Sequence, residues 1–132
     1  MIVVAIIGIL AAMAIPIYQG HVIRTQVTRV YAELSNLRTQ TEDLLSQGRL
    51  PADASDELGY SANNLLSAEP AVDFSAGDGS GSIIASFGNN ASSTIHGAIM
   101  TLSRSASGSW ACTLNAGTAS GWHTKYSPAG CD

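Results

Sequence analysis

The N-terminal segment is apolar without interruption, and it constrains the fold more than any other feature of the sequence. Residues 1–17 read MIVVAIIGILAAMAIPI, and no Lys, Arg, Asp or Glu precedes Arg24. As a helix this segment covers roughly 26 Å, slightly less than a hydrocarbon core of ~30 Å. A cleaved signal peptide and a buried core helix are the alternatives. The run has no basic residues at its start, which argues against a signal peptide. The remaining chain is too small to surround a helix that is apolar on every side, which argues against a buried core helix.

A helical pattern continues beyond the apolar segment without a stop signal. Mostly apolar residues recur at alternating steps of four and three, which predicts one buried face: Ile23, Val27, Val30, Leu34, Leu37, Thr41 and Leu44. The other faces are charged, and Arg29/Glu33 and Arg38/Glu42 stand at helical contact spacing. Gly48 and Pro51 provide a C-terminal stop. We therefore predict one helix to about Gln47, on the order of 70 Å long.

This helix needs two environments. Residues 23–47 are amphipathic and belong to a head domain, residues 23–132, whereas residues 1–22 form an apolar half that one copy cannot cover. A soluble monomer would expose far more than the few hundred Å² of apolar surface that monomers tolerate. The pattern predicts a homo-oligomer whose apolar helix exchanges a membrane for a filament core. The residues assigned to this core are Met1, Ile2, Val3, Val4, Ile6, Ile7, Gly8, Ile9, Leu10, Met13, Ile15 and Pro16.

Charge and motif content argue against several function classes. Ten acids oppose six bases, and the stretch from Asp53 to Asp78 contains six acids and no Lys or Arg. Nucleic acid is therefore not expected as a primary partner. The three histidines are scattered, and no nucleophile motif, acid pair or phosphate loop is present. We expect no enzyme, no catalytic residue, no cofactor and no metal site.

The rest of the head predicts a small antiparallel sheet. Residues 49–81 are rich in Ala, Ser, Asp, Asn, Pro and Gly and predict an irregular connection. Short strands separated by turns are expected at 82–87, 94–103 and 109–114. Phe87, Ile99 or Met100, and Trp110 are the candidate core members. The predicted fold class is α+β, a long N-terminal helix packed on a small antiparallel sheet.

The two cysteines, Cys112 and Cys131, lie near the C-terminus. In an exported chain a single pair predicts a disulfide, which would close a loop of about twenty residues and stabilise by roughly 3 kcal/mol in the chain-entropy model. A metal site or a reactive thiol is the alternative, but the close paired spacing of a zinc module is absent.

Two stretches carry a family resemblance. The run from Met1 to Gln19 resembles the N-terminal helix of type IV pilins, and the segments 110–113 (WACT) and 125–131 (KYSPAGC) are similar to the disulfide region of Pseudomonas-type pilins. The resemblance places Met1 about six residues inside the family pattern. Family members begin with a processed, methylated Phe and carry a Glu a few residues later. Neither occurs here, so the docking role of that Glu is assigned to no residue of this chain.

The resemblance implies a four-stranded sheet and a filament with central helices and outward heads. It implies the major structural subunit of a type IV pilus, held in the inner membrane and then exported by pilus assembly machinery into an extracellular filament. Family pilins serve adhesion to host-cell or abiotic surfaces, twitching motility, DNA uptake and biofilm formation, and act as phage receptors. The alternatives are a minor pilin or type II secretion pseudopilin, and a monomeric membrane-anchored adhesin.

Three further hypotheses concern particular residues. The helix between Gly8 and Pro16 loosens on polymerisation, or else it bends only mildly. Arg24 and Arg29 pair across a subunit interface with the acidic stretch, or else both groups are merely solvated. The loop closed by the cysteines contacts a receptor or, alternatively, its aromatic rings only pack it onto the sheet. The candidate receptor-binding residues are Trp122, His123, Lys125 and Tyr126.

Overall fold

One continuous helix forms the spine of the molecule. The computed structural model describes all 132 residues. Helix α1 spans Ile2–Ser46, 45 residues, which corresponds to about 68 Å. Gly48 adopts a φ of +75°, and the Arg49 amide donates to the Leu44 carbonyl at 3.0 Å, as in helix ends closed by a left-handed glycine. The predicted single helix is confirmed. Pro16 lies inside it without interrupting it, and loosening in a filament stays a prediction.

The head contains a four-stranded antiparallel meander. Strands β1 (Ala71–Asp73), β2 (Gly81–Ser86), β3 (Ile99–Arg104) and β4 (Trp110–Asn115) follow one another in spatial order. The predicted α+β class is confirmed. In register, Ile83 lies opposite Leu102 and Met100 opposite Leu114.

Two details differ from the sequence-based expectation. The strand predicted at 94–103 begins only at Ile99, because residues 93–95 form a 3₁₀ turn and Gly97 adopts a φ of +88°. Strand β1 was not predicted, since three residues among turn-forming neighbours carry too little periodicity to stand out.

The core lies between the second half of α1 and one face of the sheet. All seven helix positions predicted to face inward are buried. They pack with sheet residues of which Ile83, Met100 and Leu102 are almost fully enclosed. Phe87 and Met100 are core members as expected, whereas Ile99 and Trp110 are half-buried.

The irregular connection between α1 and β1 is anchored to this core. Its apolar residues turn inward at Pro51, Ala54, Leu58, Leu65 and Leu66. Glu57 accepts hydrogen bonds from the amides of Ala52 and Asp53 at 2.6 and 3.2 Å. A long connection without regular structure is thus held by buried side chains and by carboxylates that satisfy its backbone.

The disulfide predicted between Cys112 and Cys131 is confirmed. Their Cα atoms are 4.6 Å apart, within the range that a bridge requires. The tail is also bonded to β4 through its backbone, because the Leu114 amide donates to Asp132 and the Asp132 amide donates to Cys112. The C-terminal loop is therefore fixed to the sheet edge by covalent and hydrogen bonds.

Replacing Leu34, which is 1% exposed, by Ala should lower the free energy of unfolding by about 2–5 kcal/mol, because it opens a cavity between α1 and the sheet. Urea unfolding of the full chain in detergent measures this, with exposed Thr39→Ala as the control, expected within about 0.5 kcal/mol of the parent. Equal stability of both variants would contradict the assignment of this helix face to the core.

Candidate assembly surface

The N-terminal part of α1 is not buried by any other part of the molecule. Every residue from Met1 to Tyr18 is exposed, and the large apolar side chains there are 52–107% exposed. The helix is long and apolar enough to cross a membrane, and none of its most hydrophobic 18-residue window is buried within the chain. Water cannot be the final environment of such a surface, because contiguous apolar area of this size drives association.

A polar cluster fastens the second half of α1 to the sheet. Glu42 accepts hydrogen bonds from Arg104 Nε and from Trp110 Nε1, each at 2.6 Å. Arg104 also donates to the Gly79 carbonyl at 2.7 Å. The hydrogen bond from Arg104 is the main reason that the pKa of Glu42 lies below its ordinary value, although burial opposes it. Arg38, which stands at helical spacing from Glu42, has no carboxylate within 4.0 Å and lowers the pKa of Glu42 only as a minor cause, because Arg104 takes that carboxylate.

The two arginines predicted at a subunit interface differ in their surroundings. Arg29 Nε lies 3.3 Å from Glu33 of its own helix, as the spacing predicted. Glu33 in turn accepts a hydrogen bond from Asn63 of the connection. Arg24 is exposed and has no carboxylate within 4.0 Å. Of the two, only Arg24 is left without an anionic partner in its own chain.

Most carboxylates of the acidic stretch hold local backbone. Asp53 accepts from the Asp56 amide at 2.8 Å, Asp73 from Ser75, and Asp78 from Ser80. These hydrogen bonds lower the pKa of all three aspartates. Asp56 is exposed, and its carboxylate accepts no hydrogen bond and pairs with no base. It is a free negative charge available to another molecule.

The disulfide-closed loop packs partly onto α1. Tyr126 is buried, and the half-buried ring of Trp122 meets it edge-on with centroids 5.7 Å apart. His123 and Lys125 are exposed. The loop reaches the start of the head, where Lys125 and Tyr126 share a groove with Gly20, His21 and Arg24 of α1. The four candidate receptor residues thus divide into two packed rings and two exposed titratable groups.

Sequence reasoning missed two features of this surface. In the Glu42–Arg104–Trp110 cluster, Glu42 is separated in sequence from Arg104 by 62 positions and from Trp110 by 68. Of the three, the sequence indicates only Trp110 as a core candidate. The placement of Lys125 and Arg24 along one groove also has no sequence signal, because it depends on how the C-terminal loop folds back on the helix.

The geometry defines a class of protein: an α+β head that carries an uncovered apolar helix, suited to lipid or to copies of itself. Comparison with known proteins agrees. The Pilin family, described as bacterial filament, matches residues 23–132.

Similar proteins cover almost the whole chain. Fimbrial protein Q of Moraxella bovis is 38% identical, with 99% of this chain and 91% of the relative aligned. A fimbrial protein of Pseudomonas aeruginosa is 39% identical, with 99% of this chain and 90% of the relative aligned. The type IV major fimbrial protein FimA of Dichelobacter nodosus is 37% identical, again with 99% of this chain and 90% of the relative aligned. The chain belongs to the pilin family.

Glu42→Gln should lower the free energy of unfolding by about 1–2 kcal/mol at pH 7, because it keeps the shape but removes the charge that accepts from Arg104. The side chain of Glu42 is 43% exposed, so the loss in the free energy of unfolding should lie at the lower end of that range. The pKa of Glu42 is lowered on folding. Its contribution to the free energy of unfolding is therefore complete above the ordinary pKa of ~4.3 and is lost as the pH falls through the pKa of the folded state.

The parent should therefore lose stability more steeply than the variant below about pH 4.5. Urea midpoints measured from pH 3 to 7 test this, with Asp43→Asn on the exposed side of α1 as the matched control. Parallel pH profiles for parent and Glu42→Gln would contradict the role of this carboxylate.

Proposed function

We propose that this chain is the major structural subunit of a type IV pilus, which assembles through its apolar helix into a helical surface filament for adhesion and twitching motility. The observation that carries the proposal is the complete exposure of residues 1–18 beside a head whose own helix face is fully packed. The names of relatives support it, since one is a type IV major fimbrial protein and another a type IV major alpha-pilin.

In this proposal the apolar segment occupies two environments, one after the other. It lies in the inner membrane before assembly, where its length of roughly 26 Å nearly matches the hydrocarbon core. Pilus assembly machinery then moves the subunit into the filament, where the apolar segments of neighbouring copies cover one another and the heads face outward. The filament itself is extracellular.

A minor pilin or type II secretion pseudopilin, and a monomeric membrane-anchored adhesin, are the competing functions. The C-terminal disulfide loop favours a major pilin by resemblance. Electron microscopy of sheared surface material labelled with antibody to this chain separates the three. A major subunit should label densely along fibres. Sparse or tip-only label would indicate a minor pilin, and absence of labelled fibres an anchored monomer, and either result would overturn the proposal.

We also propose that Arg24 pairs with the acidic stretch of a neighbouring subunit, with Asp56 as the partner and Arg29 adding charge nearby. Two facts support this: Arg24 has no carboxylate in its own chain, and Asp56 is equally free. The other acids of the stretch already hold backbone amides, so pairing them would give a smaller gain.

Reversing both arginines, Arg24→Glu with Arg29→Glu, should reduce the amount of surface filament severalfold, because like charges would meet at the interface. Adding Asp56→Arg to Arg24→Glu should restore part of it. Arg38→Gln, farther along α1, should leave filament yield near that of the parent. Immunoblots of sheared pili, normalised to total subunit, measure the yield. Normal piliation in the double reversal would exclude the interface.

The exposed part of the disulfide loop is our proposed contact with a host-cell or abiotic surface or with a phage. His123 is exposed and Trp122 is half-buried, so an aromatic edge and a titratable group stand together on a covalently closed scaffold. Lys125 and Tyr126 belong to the same loop, but the Tyr126 ring is buried and supports the loop more than it contacts a partner.

A further inference from the structure

We propose that the groove at the base of the head binds the phosphate of an anionic phospholipid while the subunit is held in the membrane, an inference that rests on the proposed function. This base groove has a volume of about 510 Å³. Pro16 and Ile17 form its apolar side, and His21, Arg24 and Lys125 form its polar side. Its lining therefore changes from apolar to cationic in the direction that leads from the apolar segment to the head.

The two cations of the base groove have no anionic partner in the chain. Neither Arg24 nor Lys125 lies within 4.0 Å of a carboxylate, whereas Arg29, Arg49 and Arg104 all do. The Lys125 ammonium lies 5.3 Å from the centre of the Tyr126 ring, which holds it beside α1 without neutralising it. In a chain of net charge −4, two free cations on one groove form a local site for an anion.

The groove lies at the depth of lipid phosphates. Arg24 follows Ile17 by seven residues, about 10 Å along the helix, and the headgroup region on each side of the hydrocarbon core is about 5–8 Å thick. A long cationic side chain can reach back over that distance. Tyr18 is 70% exposed at the boundary, where aromatic side chains are enriched in membrane proteins.

The composition of the groove favours a lipid over a carboxylate from another subunit as the occupant before assembly. A neighbour's Asp56 would satisfy Arg24 but leave the exposed Pro16 and Ile17 side chains uncovered. An anionic phospholipid satisfies both sides, because its phosphate meets the cations and its acyl chain covers the apolar side. On assembly the lipid leaves, and the neighbouring subunit takes its place at Arg24.

Electron paramagnetic resonance tests this with the full chain in phosphatidylcholine liposomes that contain spin-labelled phosphatidylglycerol or spin-labelled phosphatidylcholine. The fraction of motionally restricted label gives the relative affinity of the two lipids. One cation near an anionic membrane surface raises the binding affinity on the order of fivefold. We therefore expect phosphatidylglycerol to be preferred over phosphatidylcholine at least fivefold at low salt. The double variant Arg24→Gln with Lys125→Gln should reduce the preference to nearly one.

Arg38→Gln is the matched control, because Arg38 is also unpaired but lies about 30 Å beyond Ile17 along α1. It should keep the full preference. Equal affinity of the parent for both lipids, a preference that survives in the double variant, or an equal loss in the control would each overturn the proposal.

The lipid measurement is separable from the proposed function, because it needs no filament. Lipid preference in a chain whose antibody labels no fibres would overturn the pilus proposal alone. Dense labelling of fibres together with equal lipid affinities would overturn the lipid proposal alone.

Discussion

The structure depends on the packing of one face of α1 against the sheet. That face contains seven inward residues, all buried, and it is the only apolar surface through which the helix can be held by its own head. Because it begins at Ile23, the 22 residues that precede it cannot share in the core. The same contact that stabilises the head therefore leaves the N-terminal half of the helix uncovered, and the uncovered half requires lipid or further copies of the chain.

Several interactions hold this arrangement together. The Glu42–Arg104–Trp110 cluster connects the far end of α1 to β3 and β4, and the Cys112–Cys131 bridge holds the tail beside β4. The Glu33–Asn63 hydrogen bond ties the connection to the helix. These contacts join the helix, the connection and the sheet into one packed unit.

The charges of the molecule are arranged along its length. The free cations Arg24 and Lys125 lie next to the apolar segment, and the acidic stretch lies in the connection and the β1–β2 region farther along the head. In the proposed assembly, the free cation of Arg24 on one copy can meet the free carboxylate of Asp56 on another. The arrangement equally suits a membrane surface rich in anionic lipid, so the same cations can serve both stages of the proposed assembly.

Periodicity alone determined the helix, its buried face and its uncovered half, because a 3.6-residue repeat and a continuous apolar run are local properties of the chain. The three longer strands and the disulfide were also predictable, from alternation between turns and from a single cysteine pair. Tertiary structure decided the rest. Arg104 rather than Arg38 meets Glu42, Tyr126 is buried while Lys125 lines a groove with Arg24, and three residues of β1 pair with β2. Each depends on contacts between residues far apart in sequence, which local patterns do not encode.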